Sequence, residues 1–525
     1  MDADVQAAAA SARPDQDHQV QASSRRLPAA VVLAAVVIGG AQRWWAAAHP
    51  VGTLTSDGAV IGLMALRLLQ HGQLTAYMWG QSYGGSLEAV LTALVFAVAR
   101  VGTSQLLAAT ALSSALCALA LWRAGRRIAG DPAAKLAALA FWMWPASFLW
   151  RSVKPGGSYM IGLAIALCGV GALARIRHGE DGWRRWAIAG LWCGLAVWSS
   201  PVSLELLLPA AIWAWPAIRR AGRTLLAAVG GAVIGACPAL VFGATHDWTN
   251  LHVPGYGNDL LTGLPGRLGQ FFPVEAPVAM GVRAEGSLAW TGGGLGPVLA
   301  IAAAAALLVT AGAVIAGRAP RCMLPVLTLT ILPVLYALNP LADNLGQGRY
   351  ALFAVPMAAL LIGIGLDNAA GAGPAAWMVW TAGLALVCAL GTAVLRAEPA
   401  SLVAFPAPDV AMPTNDSALQ SLIARHHITD AYAPYWVAYR VMFETGGGID
   451  VTPYTNDRYP PIAAAVARSP HPAYLFVTAS PTLGAFEAWC RERAITCQAW
   501  PSGAFTVVQP SVNVSPAELP PTVLS

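Results

Sequence analysis

The sequence predicts an all-α polytopic membrane bundle of about 11 crossings, followed by a small extracytoplasmic α/β domain at its C-terminal end. Three observations carry that expectation. The 525-residue chain is 57% hydrophobic and only 11% charged, where an ordinary soluble protein carries about 25% charged residues. Apolar runs of about 16–22 residues recur from Leu27 to Leu395, close to the helix length that spans a hydrocarbon core roughly 30 Å thick. Beyond residue 398 those runs stop, and short strand-like and helix-like stretches alternate instead.

The first 26 residues are polar and Ala-rich, and read as a disordered cytoplasmic N-terminus. The first apolar run is long enough to stay as an anchor rather than be cleaved as a signal. Spans are expected near 27–48, 104–122, 132–150, 158–174, 187–200, 201–217, 224–243, 295–316, 322–338, 350–366 and 375–395. Basic clusters fall at Arg25/Arg26, Arg123/Arg126/Arg127, Arg175/Arg177/Arg184/Arg185, Arg219/Arg220/Arg223 and Arg318/Arg321. With the N-terminus in the cytoplasm, every cluster lies inside, as the positive-inside rule requires. That distribution accounts for the net charge of +5 without nucleic acid as a partner. The run 84–99 would invert the scheme if it crossed. As a helix it is about 24 Å long, short for a span, and reads as lying at or dipping into the outer face. The transmembrane domain is therefore 27–395, in the cytoplasmic (inner) membrane, with the C-terminus on the periplasmic side.

The outer domain, 396–525, opens with a Pro-rich linker and ends in a disordered tail. Between them, Ser417–His427, Pro434–Thr445, Ile462–Arg468 and Leu483–Ala494 read as helices. Ile428–Ala433, Ile449–Tyr454, Ala473–Thr478 and Ala504–Gln509 read as strands. Cys490 and Cys497 are the two cysteines of this domain, and an oxidising compartment favours a disulfide between them, with two free thiols as the alternative.

Candidate chemistry gathers on the outer side. Asp57 follows the first span by a few residues, and a carboxylate there can accept a proton from a hydroxyl. Capping the next helix is its structural alternative. That helix (Val60, Leu63, Met64, Leu66) has an amphipathic period suited to lying on the membrane. Glu88 opens the partly buried run 84–99, where an unpaired carboxylate is expensive. It either pairs with a base or joins Asp57. Trp79, Gln81 and Tyr83 combine aromatic faces with an amide, suiting a sugar ring, or else form a plain interfacial turn. Arg151 and Lys154 sit beside Gly156-Gly157 in an outer turn, breaking the charge rule. A phosphate held by Lys154 and the glycine N–H groups, or an anionic headgroup, would explain them. Arg349 and Tyr350 open a late span, with Asp343 near enough to pair with Arg349. Glu205 is the main intramembrane carboxylate, a functional candidate by default. His246, Asp247, His252 and Asp259 lack metal-ligand spacing and read as loop polars.

Taken in order, these motifs resemble the GT-C class of membrane glycosyltransferases. The likeness is to the bacterial relatives of dolichyl-phosphate-mannose protein mannosyltransferases and of aminoarabinose transferases. It covers 27–395 in architecture, and in motif Asp57, the Trp79–Glu88 run, the turn 151–157 and Gly348-Arg349-Tyr350. The resemblance implies that Asp57 is the catalytic base and that Arg349 and Tyr350 join the lipid-phosphate site. It implies a polyprenyl-phosphate-linked sugar donor, a glycan, lipid or protein acceptor, and bilayer lipid as surroundings. The chain departs from several class members in having no acidic residue within 151–157. Metal-free transfer with no cofactor is therefore expected. A single carboxylate then implies one displacement and inversion at the sugar carbon, with Arg151, Lys154 and Arg349 on the leaving phosphate. A transporter or flippase of lipid-linked glycans would need polar residues through the bundle, and apart from Glu205 the spans are nearly uncharged. An O-antigen-type ligase is the other rival.

Overall fold

The computed structural model describes residues 27–524 apart from 50–52, 146, 252–262, 286–287, 292, 340–341, 343–345, 347, 372–374 and 398–415. The N-terminal stretch expected to be disordered, His252, Asp259 and Asp343 lie outside the described residues.

Among the described residues, eight helices are long and apolar enough to cross a membrane, and a bent pair makes a ninth candidate. The pair, Thr224–Gly235 with Cys237–Thr245, turns by 61°, where Pro238 removes a backbone donor. The expected span 132–150 is instead a 12-residue helix, Asp131–Trp142, followed by the short Ser147–Arg151. The expected span 187–200 is the 17-residue helix Trp183–Ser199. Leu87–Val98 is 12 residues, about 18 Å, and too short to cross. Close helix packing comes from small residues. A Cβ on Gly190 would lie 1.8 Å from the carbonyl oxygen of Ala228, and one on Gly231 would lie 2.0 Å from that of Ala187. Trp183–Ser199 and Thr224–Gly235 thus touch backbone to backbone, as small-xxx-small pairs do in lipid.

The C-terminal domain carries a five-stranded sheet in the order β2-β1-β3-β5-β4, with β1 Asp430–Ala433, β2 Asp450–Pro453, β3 Ala473–Val477, β4 Cys497–Ser502 and β5 Phe505–Pro510. β1 runs parallel to β2 and β3, while β5 is antiparallel to β3 and β4. The four expected strands are present. β4 was not legible, because an edge strand reading Cys-Gln-Ala-Trp-Pro-Ser has neither apolar alternation nor a proline-free run. The expected disordered tail is instead packed down to residue 524. Tyr474 donates from its phenol to the Val514 carbonyl at 2.8 Å, Ser515 and Glu518 form a capping box, and Val523 is fully buried.

This domain sits on the helix Ser56–His71 and shares one core with it. Val60, Leu63, Met64 and Leu66, expected against the membrane, are buried in that core. The helix Tyr435–Glu444 covers them, so their amphipathic period reports a domain interface rather than a lipid surface. At Gly62 a Cβ would fall 2.5 Å from the Phe443 ring, which is why the approach is so close.

Cys490 and Cys497 are both free thiols in the structure, not the expected disulfide. Their side chains hydrogen-bond to one another, and burial first, then Cys497, pushes the Cys490 thiol up to about 12. Such a thiol stays protonated and attacks slowly. Thiol titration of denatured, unreduced protein should therefore find all eight cysteines free. Six would show that the bridge forms after all.

Candidate functional site

Thr55, not Asp57, caps the helix Ser56–His71, its hydroxyl accepting from the Gly58 N–H at 3.4 Å. Asp57 therefore stands in the first turn with its carboxylate free of capping duty. The turn 77–85 is folded back on itself by a Tyr77–Gly85 bridge and pinned by the Gly85 N–H, which donates to the Ser199 carbonyl at 2.8 Å. This frame sets the helix start Leu87–Val98 beside the turn 151–157.

The C-terminal domain reaches Asp57 directly. The Tyr435 phenol donates to Asp57 Oδ1, and Arg458 Nη2 lies 3.5 Å from the same oxygen. Arg458 also donates from Nε to the Tyr435 phenolic oxygen at 3.1 Å, and its backbone N–H donates to the Tyr439 hydroxyl at 2.6 Å. Burial raises the Tyr435 phenol above its ordinary value, and the Asp57 carboxylate adds to that. Tyr435 therefore stays a proton donor. Asp57 Oδ2 has no hydrogen-bond partner among the described residues, and the side chain is 34% exposed.

Three other predicted residues join this cluster. Lys154 is buried and stacks over Trp150 at 5.1 Å. Among the described residues it makes no ion pair. Burial first, then Arg151, lowers its ammonium to about 8, while Glu285 and Asp57 act the other way. Arg349 lies over the Tyr350 ring at 4.8 Å with its Nε unpartnered among the described residues. Burial opposes its charge, but Tyr159, Tyr350 and Asp57 raise it above its ordinary value. Tyr83 acts electrostatically on both Tyr350 and Arg458, and so lies near both. Asp57 is thus paired with Arg458 and within electrostatic reach of Lys154 and Arg349, an excess of cations near one carboxylate.

The remaining predicted residues are placed elsewhere or already engaged. Arg151 is paired with Glu285, whose carboxylate is 3% exposed. This carboxylate arrives from a distant loop and is missing from the local sequence. Glu88 is buried in the Gly156-Gly157 turn, taking hydrogen bonds from both backbone N–H groups and from Thr110 Oγ1 at 2.9 Å. It occupies the glycine nest expected to hold phosphate, and burial pushes it up to about 8. Trp79 is 6% exposed and stacked on Tyr459 of the C-terminal domain, centroids 4.0 Å apart. That face is therefore closed to a sugar. Gln81 lies in the turn, its backbone N–H donating to Met78. Glu205 is buried in the first turn of the helix Leu204–Ile218, with Oε2 unpartnered among the described residues. Sequence reasoning missed Glu285, Tyr435, Arg458 and Tyr459. Only the Tyr and Arg density of 432–459 hinted at the last three. Among the described residues, no group of three or more His, Cys, Asp or Glu is arranged to hold a metal.

With this geometry, the chain superposes on ArnT from Cupriavidus metallidurans in its undecaprenyl-phosphate-bound structure, at 13% identity and TM-score 0.58. That match covers 91% of this chain and 97% of the other. The fold is the GT-C-like fold of ArnT. The apo ArnT structure matches at 13% identity and TM-score 0.54, over 86% and 93% of the two chains. The oligosaccharyltransferase AglB from Archaeoglobus fulgidus matches at 15% identity and TM-score 0.45, over 91% and 74%. Neither a protein-family profile nor a curated protein sequence matches the chain. The match to ArnT spans both the bundle and the sheet domain, so the C-terminal domain belongs to the fold rather than being an appendage.

Proposed function

We propose that this chain is a membrane glycosyltransferase that moves a sugar from a polyprenyl-phosphate carrier to an acceptor hydroxyl on a glycan, lipid or protein, at the outer face of the cytoplasmic membrane. One observation carries the reading. Asp57, Lys154 and the neighbours Arg349 and Tyr350, from three separate segments, lie within electrostatic reach of one another at one end of a bundle whose fold matches that of an undecaprenyl-phosphate-bound protein.

In this reading the donor enters sideways from the bilayer, and its phosphate rests between Lys154 and Arg349. Tyr435 and Arg458 hold Asp57 Oδ1, leaving Oδ2 to accept the proton of the acceptor hydroxyl. The acceptor oxygen bonds to the anomeric carbon as the bond from that carbon to the phosphate oxygen breaks. The electron pair leaves on the carrier phosphate, where the two cations meet the growing charge. One displacement inverts the sugar carbon. Glu88 shapes the 151–157 turn from beneath, and Arg151 is fixed by Glu285 rather than offered to the donor.

The test is transfer by the full-length protein in lipid nanodiscs, supplied with polyprenyl-phosphate-linked sugars and read by mass spectrometry and anomer analysis. An inverted product supports the reading, and a retained anomer rules out the single displacement. Lys154 adds a pH signature. Its ammonium, lowered to about 8 by burial, is charged at pH 7 and loses its proton as the pH rises past 8. We expect kcat/KM for donor to fall between pH 7 and 9. The Lys154→Arg variant, charged throughout that range, should lack this descent.

A further inference from the structure

Running along the bundle to the end farthest from Asp57, the helices Thr103–Ala129, Tyr159–Arg177 and Trp183–Ser199 leave an open groove of about 450 Å³ between them. Arg127 lies 17 residues beyond Thr110, the partner of Glu88, so the two ends are separated by about 25 Å of helix. The groove wall is apolar, with Leu119, Ile165 and Trp192 facing it, and three arginines, Arg123, Arg127 and Arg175, stand at its end. Their charge is only partly answered. Glu180 sits 3.8 Å from Arg127 and is shared with Arg185. Arg123 and Arg175 make no ion pair among the described residues. Cations clustered on one side of an apolar slot repel one another unless an anion sits among them.

We propose that this groove is a binding site for an anionic phospholipid of the inner leaflet, its acyl chain along the helix Tyr159–Arg177 and its phosphate among Arg123, Arg127 and Arg175. The apolar wall fits a hydrocarbon chain, and the arginine end fits the phosphate that follows it. Basic pockets between spans on the cytoplasmic side hold such headgroups by the same chemistry. Free phosphate would use the arginines and leave the slot bare. A neutral lipid would use the slot and leave the arginines unanswered. The site is distinct from the Asp57 cluster and does not depend on the reaction assigned to it.

Full-length protein, delipidated in detergent and monodisperse, is titrated with phosphatidylglycerol or phosphatidylcholine in mixed micelles and read by native mass spectrometry. We expect wild type to retain phosphatidylglycerol in preference to phosphatidylcholine. Replacing both free cations, as Arg123→Ala with Arg175→Ala, should weaken phosphatidylglycerol binding about thirtyfold, and the matching pair of Arg→Lys changes should keep most of it. Ala172 also lines the groove, and Ala172→Phe, which fills it while leaving every charge, should weaken binding as well. Equal retention of the two lipids, or a double Ala variant that binds as wild type does, overturns the proposal. Displacement of the bound lipid by inorganic phosphate alone, or full affinity in Ala172→Phe, overturns the groove half of it.

Discussion

Replacing Asp57 with Asn should lower sugar transfer roughly 10²–10⁴-fold, the usual cost of losing a general base, with donor affinity nearly unchanged. The amide keeps the shape of the side chain, and its carbonyl still accepts from the Tyr435 phenol, but it cannot take a proton from the acceptor. Folding is not at stake through the helix start, since Thr55 makes the cap. Docking of the C-terminal domain survives too, because it rests on Phe443 against Gly62 and on Trp79 stacked with Tyr459. The Arg458 pair with Asp57, at 3.5 Å and partly exposed, contributes little to stability. Transfer rate, donor affinity and the unfolding midpoint should be measured on one preparation. Activity within about threefold of wild type removes Asp57 as the base. The proton acceptor would then have to be sought elsewhere, and Glu88 is poorly placed for it, being sealed beneath the Gly156-Gly157 turn.

What was legible in the sequence follows what is local. Apolar length gave the membrane bundle, and alternation gave four of five strands, because both depend on residues within one segment. The short run 84–99 was readable as non-crossing for the same reason: its length alone decides it. The site divides along the same line. Asp57, Lys154 and Arg349 could be picked out as charges at helix ends on one side of the bundle. Their company could not. Glu285 meets Arg151 across 134 residues, and Tyr435 meets Asp57 across 378. No periodicity encodes such pairings. The amphipathic stretch from Val60 to Leu66 shows the ambiguity directly. An apolar stripe beside a membrane and an apolar stripe beneath a domain are the same sequence signal, and only the packing of Phe443 tells them apart. The Gly156-Gly157 turn teaches a related point. Exposed backbone donors suit any oxyanion, and a carboxylate of the chain itself, Glu88, took the place expected for a phosphate.

Lys154→Ala and Arg349→Ala should each weaken donor binding about 10²-fold and also slow turnover, whereas Arg151→Ala should do neither. Lys154 is buried, Arg349 is half-buried, and neither carries an ion pair among the described residues. Charge held in such a low-dielectric place acts strongly on a phosphate, both as it binds and as it leaves. Loss of either should therefore appear in KM and in kcat. Arg151 differs because its guanidinium is already committed to Glu285, which is 3% exposed. Removing it strands a buried carboxylate, so the expected loss is in stability, about 3 kcal/mol, seen as a lower unfolding midpoint of the detergent-solubilised chain. The second substitution Glu285→Gln should restore most of that midpoint, since the amide needs no counter-charge. Donor affinity per folded molecule, measured by titration with a polyprenyl phosphate, separates the two kinds of cation. If Arg151→Ala weakens that affinity as Lys154→Ala does, and the Glu285→Gln background does not recover it, the phosphate lies over Arg151, and the assignment of Lys154 and Arg349 as the donor's anchors is wrong.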